Sequence, residues 1–397
     1  MAQMKYFYEL TISSSPHVHS KTTTQSIMRD VLIALAPALF MGIQVFGTRA
    51  LTVTAVSVLA CYFFERMYCK MTGMRDKTYD LSACVTGVLL AFVCPVTIPY
   101  WTIVLGAAFA ILLVKMLFGG LGRNIVNPAL AGRAFMFSWP VLMSTWVKPG
   151  MANAAPLFGP ITGLTAADVV TAATPLANMH QGIMCEETIG QLFIGNVGGC
   201  IGETSALALL LGLAYLLWRK VISIRIPLVY VATVAVLTFL FPQGNDRIAW
   251  MLAQIFGGGL MLGAIFMATD YVTSPVTKLG QMIYAIGCGV LTVMIRYFGG
   301  YNEGVSYAIL CMNACVVLLD RVGRPVKFGA PKKEAAKYYE ERKHCGVCPA
   351  SGPDSAGHYR SGCRRSGWCQ LCYRSCNRRS ERTEDPAGHR TGSARRR

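Results

Sequence analysis

The stretch "IMRDVLIALAPALFMGIQVF" occupies residues 27–46 and is almost entirely apolar. Its twenty residues match the ~20 that an α-helix needs to cross a bilayer. Nine further apolar segments follow, at about 49–66, 81–95, 98–118, 127–144, 193–218, 223–241, 248–268, 280–298 and 304–320. The whole chain is 53% hydrophobic and 14% charged, against roughly 25% charged in soluble domains. These features predict an all-α integral membrane protein with about ten transmembrane helices. Several segments are broken by Gly and Pro, as in "CPVTIPYW" (94–101) and "IGNVGGCIGE" (194–203). Broken helices survive at membrane depth only where protein or an aqueous cavity covers the freed backbone groups, and in transporters they mark sites.

The chain has three regions: a cytoplasmic segment at 1–26, a membrane domain at 27–330 and a tail at 331–397. The first lacks the apolar core of a signal peptide and is expected to be retained. Arg66, Lys70, Arg75, Lys77, Arg123, Arg219, Lys220, Arg225, Lys278, Arg321, Arg324 and Lys327 all flank even-numbered segments. By the positive-inside rule they share the cytoplasmic side with both termini. The loop at about 145–190 carries one basic residue, Lys148, and falls outside the cell. The net charge of +17 sits in these loops and the tail, so it does not point to nucleic acid.

The tail changes character near His344. Residues 344–397 hold eleven Arg and no Lys, Ile, Phe or Met, too little apolar matter to fold alone. Its "CGVC" (345–348) and "CRRSGWCQLCYRSC" (363–376) have spacings that can close a zinc or iron–sulfur site. The abrupt composition reads instead as disordered or out-of-frame, non-native sequence after about 343, and no metal is assigned. Cys311 and Cys315 share a helix face, where small apolar packing accounts for both.

Three places carry candidate chemistry. In "GGLGRNIVNPALAGRAFMF" (119–137) a Gly-rich turn leads into a helix, with Asn124 and Asn127 at its start. Such amides can grip a polar ring, or simply cap the helix with Pro128 at the first position. Asp80, Glu203 and Asp270 lie at the ends of apolar segments, where acidic groups are costly and often functional. Glu203 and Asp270 are the candidates for a cation path, and Asp80 reads as an interfacial cap. In the outside loop, "DVVTAATPL" (168–176) reads as a helix opened by a capping box at Thr165 and Asp168 and ended by Pro175. That proline also holds Thr174 in an extended conformation, with its hydroxyl exposed. The pattern Asp168-x-x-Thr171-Ala172-Ala173-Thr174 is similar to the D-x-x-[ST]-[GA]-A-T signature read by flavin transferases. No acid–base catalytic set is visible.

Together "SSPHVHSKTTTQSIMRDVLIALAPAL" (14–39), "GRNIVNPALAGRAF", "DVVTAATPL", "GNVGGCIGETSALALLLG" and "GAIFMATDYVTSP" resemble, in order, the D-subunit family of Rnf complexes. These are ion-translocating ferredoxin:NAD+ oxidoreductases. The family is shared with the B subunit of Na+-translocating NADH:quinone oxidoreductase, which normally has a longer N-terminal extension. The resemblance implies two inverted five-helix halves similar to urea transporters. It implies FMN esterified to Thr174, with Asp168, Thr171 and Ala173 read by the transferase. It also implies a second, non-covalent flavin (riboflavin) near Asn124 and Asn127. The chain would relay electrons, coupled to Na+ or H+ transport, in a bacterial or archaeal cell membrane. Its partners would be the FMN-bearing G subunit and the membrane A and E subunits. The competing readings are the quinone-reductase paralogue and a non-redox solute channel of the same architecture.

Overall fold

The computed structural model describes residues 22–73, 78–143, 146, 174–184, 187–244, 246–301 and 303–322. The chain divides between Arg324 and Pro325 into two units, and every described residue belongs to the first. The Cys-rich tail therefore lies outside the described residues.

Among the described residues the chain is all-helical, without a β-strand. Helices α1 (Thr24–Phe46), α2 (Thr48–Thr72) and α13 (Lys278–Phe298) are each long and apolar enough to cross a membrane. The helices before α13 are α3 (Ser82–Phe92), α4 (Tyr100–Ala108), α5 (Pro128–Met136), α6 (Pro140–Met143), α7 (Pro175–His180) and α8 (Ile189–Ile194). After these come α9 (Ala206–Trp218), α10 (Arg225–Leu240), α11 (Arg247–Phe256) and α12 (Leu260–Leu262); α14 (Val305–Leu319) follows α13. Helix α4 runs on as a π-helix over Phe109–Met116, and α12 over Gly263–Met267. The chain is a multi-pass membrane protein.

The ten apolar segments do not all become single spans. The 248–268 segment is two helices bent by 60° at Gly257, Gly258 and Gly259, a run that removes helix preference where the chain must turn. The 127–144 segment yields only α5 and the one-turn α6, and 193–218 yields α9 behind an irregular stretch. Two of the freed backbone stretches satisfy each other. The Ile201 N–H donates to the Cys94 carbonyl (3.1 Å) and the Gly202 N–H to that of Phe92 (3.0 Å). The two Gly/Pro-broken motifs singled out in the sequence thus meet in the protein interior, as an apolar surrounding demands.

Close helix approach sets the rest. On α3, Gly87 faces α2 so tightly that a Cβ would lie 2.7 Å from Val58 Cα, and Ser57 Oγ donates to the Gly87 carbonyl at 2.7 Å. Small residues allow such backbone contact where no hydrophobic force drives helices together.

Candidate functional site

The proline of "DVVTAATPL" begins a helix. Thr174 is the N-cap of α7 in an extended conformation (φ −65°, ψ 150°), and Pro175 is the first helical residue. The expected extended Thr174 is therefore found, and Pro175 opens the helix that follows it; the helix it is expected to end lies outside the described residues. A proline lacks the N–H that the first turn leaves unpaired anyway, so it suits that position. Thr174 Oγ1 accepts the Ala177 N–H at 3.2 Å, which fixes where the hydroxyl sits. Thr165, Asp168, Thr171 and Ala173 lie outside the described residues.

Thr174 is half-buried and lines a cavity of about 280 Å³, larger than a second one beside Asn124 and Asn127. Phe137, Trp146, Phe256 and Tyr301 line it with aromatic rings, together with the glycines at 198, 199, 257 and 258. Arg133, Glu203 and Glu303 bring charge into the same cavity. An apolar enclosure with a few converging polar groups is the usual build of a cofactor pocket.

Arg133 projects from α5 and is 2% exposed. Its Nη1 donates to Ser306 Oγ (2.9 Å) and Glu203 Oε1 (3.4 Å), while Nη2 donates to Glu303 Oε2. Its Cζ lies 5.5 Å from the centre of the Phe137 ring. The Gly259 N–H donates to Glu303 Oε1 at 3.1 Å. A Cβ on Gly259 would lie 2.5 Å from Glu203 Oε1 and closer still to Glu303, so the glycine run both bends the chain and admits the carboxylates.

The second cavity is about 90 Å³ and is lined by Asn124, Asn127, Lys115 and Asp270 among others. Asn127 caps α5: its Oδ1 accepts from Ala129 N (3.0 Å) and Leu130 N (3.4 Å), and its Nδ2 donates to the Met267 carbonyl at 3.5 Å. Asn124 Nδ2 donates to the Val126 carbonyl at 3.3 Å. Asp270 accepts from Val272 N (3.4 Å) and Thr273 Oγ1 (3.2 Å). Lys115, 2% exposed, gives its donors to both oxygens of Glu65 (3.0 and 2.9 Å) and to Ser82 Oγ (2.8 Å).

Helix α5 joins the two cavities. Asn127 and Pro128 at its start line the small one; Arg133 and Phe137 at its end line the large one. The step from Pro128 to Phe137 is about 14 Å along a helix axis. Glu203 and Asp270 are not brought together: the first lies in the Thr174 cavity and the second in the other. Sequence reading missed Arg133, Glu303 and Lys115. Arg133 and Lys115 each stand alone inside an apolar segment, which was a usable signal.

Residues 11–329 match the model of the NQR2, RnfD, RnfE family. The chain is 47% identical over 334 residues to the D subunit of the Na+-translocating ferredoxin:NAD+ oxidoreductase complex of Acetobacterium woodii, covering 83% of this chain and 98% of that one. It is 42% identical to the D subunit of the proton-translocating ferredoxin:NAD+ oxidoreductase complex of Clostridium ljungdahlii, covering 80% and 96%. It is also 35% identical to the D subunit of the ion-translocating oxidoreductase complex of Halorhodospira halophila, covering 80% and 94%. The resemblance read from the ordered motifs is thus borne out, and the chain belongs to the NQR2, RnfD, RnfE family.

Proposed function

We propose that this chain is the flavin-bearing D-type membrane subunit of an ion-translocating ferredoxin:NAD+ oxidoreductase. FMN is attached through a phosphoester to Thr174 and lodged in the larger cavity. The observation that carries this reading is that Thr174, the last residue of the transferase-type motif, lines that aromatic-walled cavity. The residues there fit a flavin: aromatic side chains for a planar ring, a guanidinium for its polar edge, and a hydroxyl held by the Ala177 N–H. A bound flavin supplies the redox chemistry, and the chain supplies position, charge and exclusion of water. A non-redox channel has no use for the threonine motif.

A second, non-covalent flavin (riboflavin) is implied by the resemblance at Asn124 and Asn127. The cavity there is well below the ~300 Å³ of a usual ligand pocket, and both amides already have partners. As arranged, these residues do not fit that group, and no step is derived through it. Ten spans in two inverted halves, cytoplasmic termini and an extracytoplasmic Thr174 complete the proposal. The meeting of the broken stretches at Cys94 and Ile201 supports the paired halves. The partners proposed are the G subunit, the membrane A and E subunits and, for maturation, a flavin transferase.

The relatives' names include both Na+ and proton translocation, so the class of ion is a small cation. Glu203 and Asp270 are proposed to line its path, each from a different cavity. Replacing either by Ala should lower ion transport per electron; unchanged transport at full electron flux removes that residue from the path. The flavin assignment is tested by in-gel fluorescence of the denatured protein, matured with a flavin transferase. The parent band should fluoresce and the Thr174→Ala band should not. A dark parent band sinks the reading, and a fluorescent Thr174→Ala band moves the attachment elsewhere.

A further inference from the structure

Two carboxylates and a guanidinium share the Thr174 cavity, and their donors and acceptors do not balance. Arg133 spends both Nη groups on Ser306, Glu203 and Glu303, yet its buried Nε–H has no partner among the described residues. Glu203 and Glu303 come from different loops, one before α9 and one before α14. One carboxyl oxygen of each and Cys200 Sγ lie within 4.8 Å of one another. The nearby guanidinium of Arg296 is turned to the glycine bend, donating to the Gln254 carbonyl (2.6 Å), Gln254 Oε1 (3.0 Å) and the Gly257 carbonyl (3.3 Å). Its Nε–H is also unpartnered among the described residues, but Arg296 does not line the cavity. Arg133 is thus the cation that lines the cavity with a donor in reserve.

A purely structural account is weak on energetic grounds. A buried ion pair typically contributes no more stability than apolar residues of the same volume, because desolvation offsets the attraction. Three ionisable side chains held beside a cavity therefore need another explanation. The cavity's proposed occupant provides one: each electron that the flavin accepts from a redox partner adds a negative charge unless a proton follows from solvent. In a low-dielectric interior the sign of the neighbouring charges then shifts the equilibrium between its oxidised and reduced forms.

We propose that Arg133, Glu203 and Glu303 form a charge set that fixes the midpoint potential of the flavin carried by Thr174. Arg133 favours the reduced form, through its charge and its spare Nε–H. Glu203 and Glu303 hold the guanidinium in place and oppose it. None of the three forms a covalent bond with the cofactor. The proposal rests on the reading of Thr174 as the attachment site.

The test is a potentiometric titration of the full-length, flavin-loaded protein in detergent, followed by flavin absorbance, for the parent, Arg133→Gln, Arg133→Lys, Glu203→Gln and Glu303→Gln. Arg133→Gln should shift the midpoint to more negative potential, and Arg133→Lys should recover part of that shift. Both glutamate variants should shift it the other way, Glu303→Gln further than Glu203→Gln because its link to Arg133 is the tighter. Opposite signs are what a merely structural role does not produce. Should Arg133→Gln fail to accumulate, the two glutamate variants carry the test alone, since each leaves Arg133 one carboxylate. A parent that is fluorescent in the gel overturns this proposal and leaves the attachment site standing if the variant potentials are unmoved, if Arg133→Gln and the glutamate variants shift in the same direction, or, where Arg133→Gln does not accumulate, if the glutamate variants do not shift to more positive potential. A dark parent band overturns both.

Discussion

Arg133 and Lys115 are both cations buried within apolar segments, one beside each cavity, and they are held in opposite ways. Lys115 has three donors and three close acceptors, from Glu65 and Ser82. Its charge is cancelled inside the protein, and the cavity beside it is small. Arg133 keeps a donor in reserve, has two carboxylates around it and borders the larger cavity. A closed pair ties helices together; an open set leaves charge available to a ligand. The two ends of α5 therefore differ in kind, with a closed ion pair beside one and a cavity-facing charge set at the other.

Breaking the closed pair tests that contrast first. Lys115→Met leaves Glu65 buried without its cation, a loss of about 3–5 kcal/mol. It should appear as a lower midpoint of thermal unfolding in detergent. Adding Glu65→Leu should return the midpoint to the parent's level or above, since an apolar pair replaces the ionic one. If Lys115→Met unfolds at the parent's temperature, the pair does not tie the helices together and the contrast with Arg133 fails.

A smaller effect is expected at the start of α5. Asn127→Ala removes the side-chain cap on two backbone N–H groups, worth about 1 kcal/mol. Covalent flavin fluorescence should persist undiminished in this variant, because Thr174 and its cavity are untouched. Fluorescence lost along with the cap would mean that the two cavities are one site.

Much of the fold is legible in the sequence because bilayer-length apolar runs need only composition to be recognised, and α1, α2 and α13 follow from it directly. The broken segments are harder. Hydropathy averages over 127–144 and 193–218 and hides the irregular backbone at 195–205, two of whose hydrogen bonds go to residues more than a hundred positions away. Thr174 is singled out by its motif, and its extended conformation is legible from Pro175. That Pro175 also opens a helix is not legible, because a proline one residue after a Thr starts a helix as readily as it stops one. Glu303 is not legible at all: "GGYNEGVSY" (299–307) reads as a polar turn. Only the fold brings it to Arg133, 170 residues earlier.

The attachment of the flavin is tested most directly by peptide mass spectrometry on protein matured with a flavin transferase, fragmenting the segment that contains Thr171 and Thr174. The expected spectrum carries the mass of one FMN less one water on Thr174, with Thr171 unmodified. An unmodified Thr174, or the added mass on Thr171, would refute the assignment.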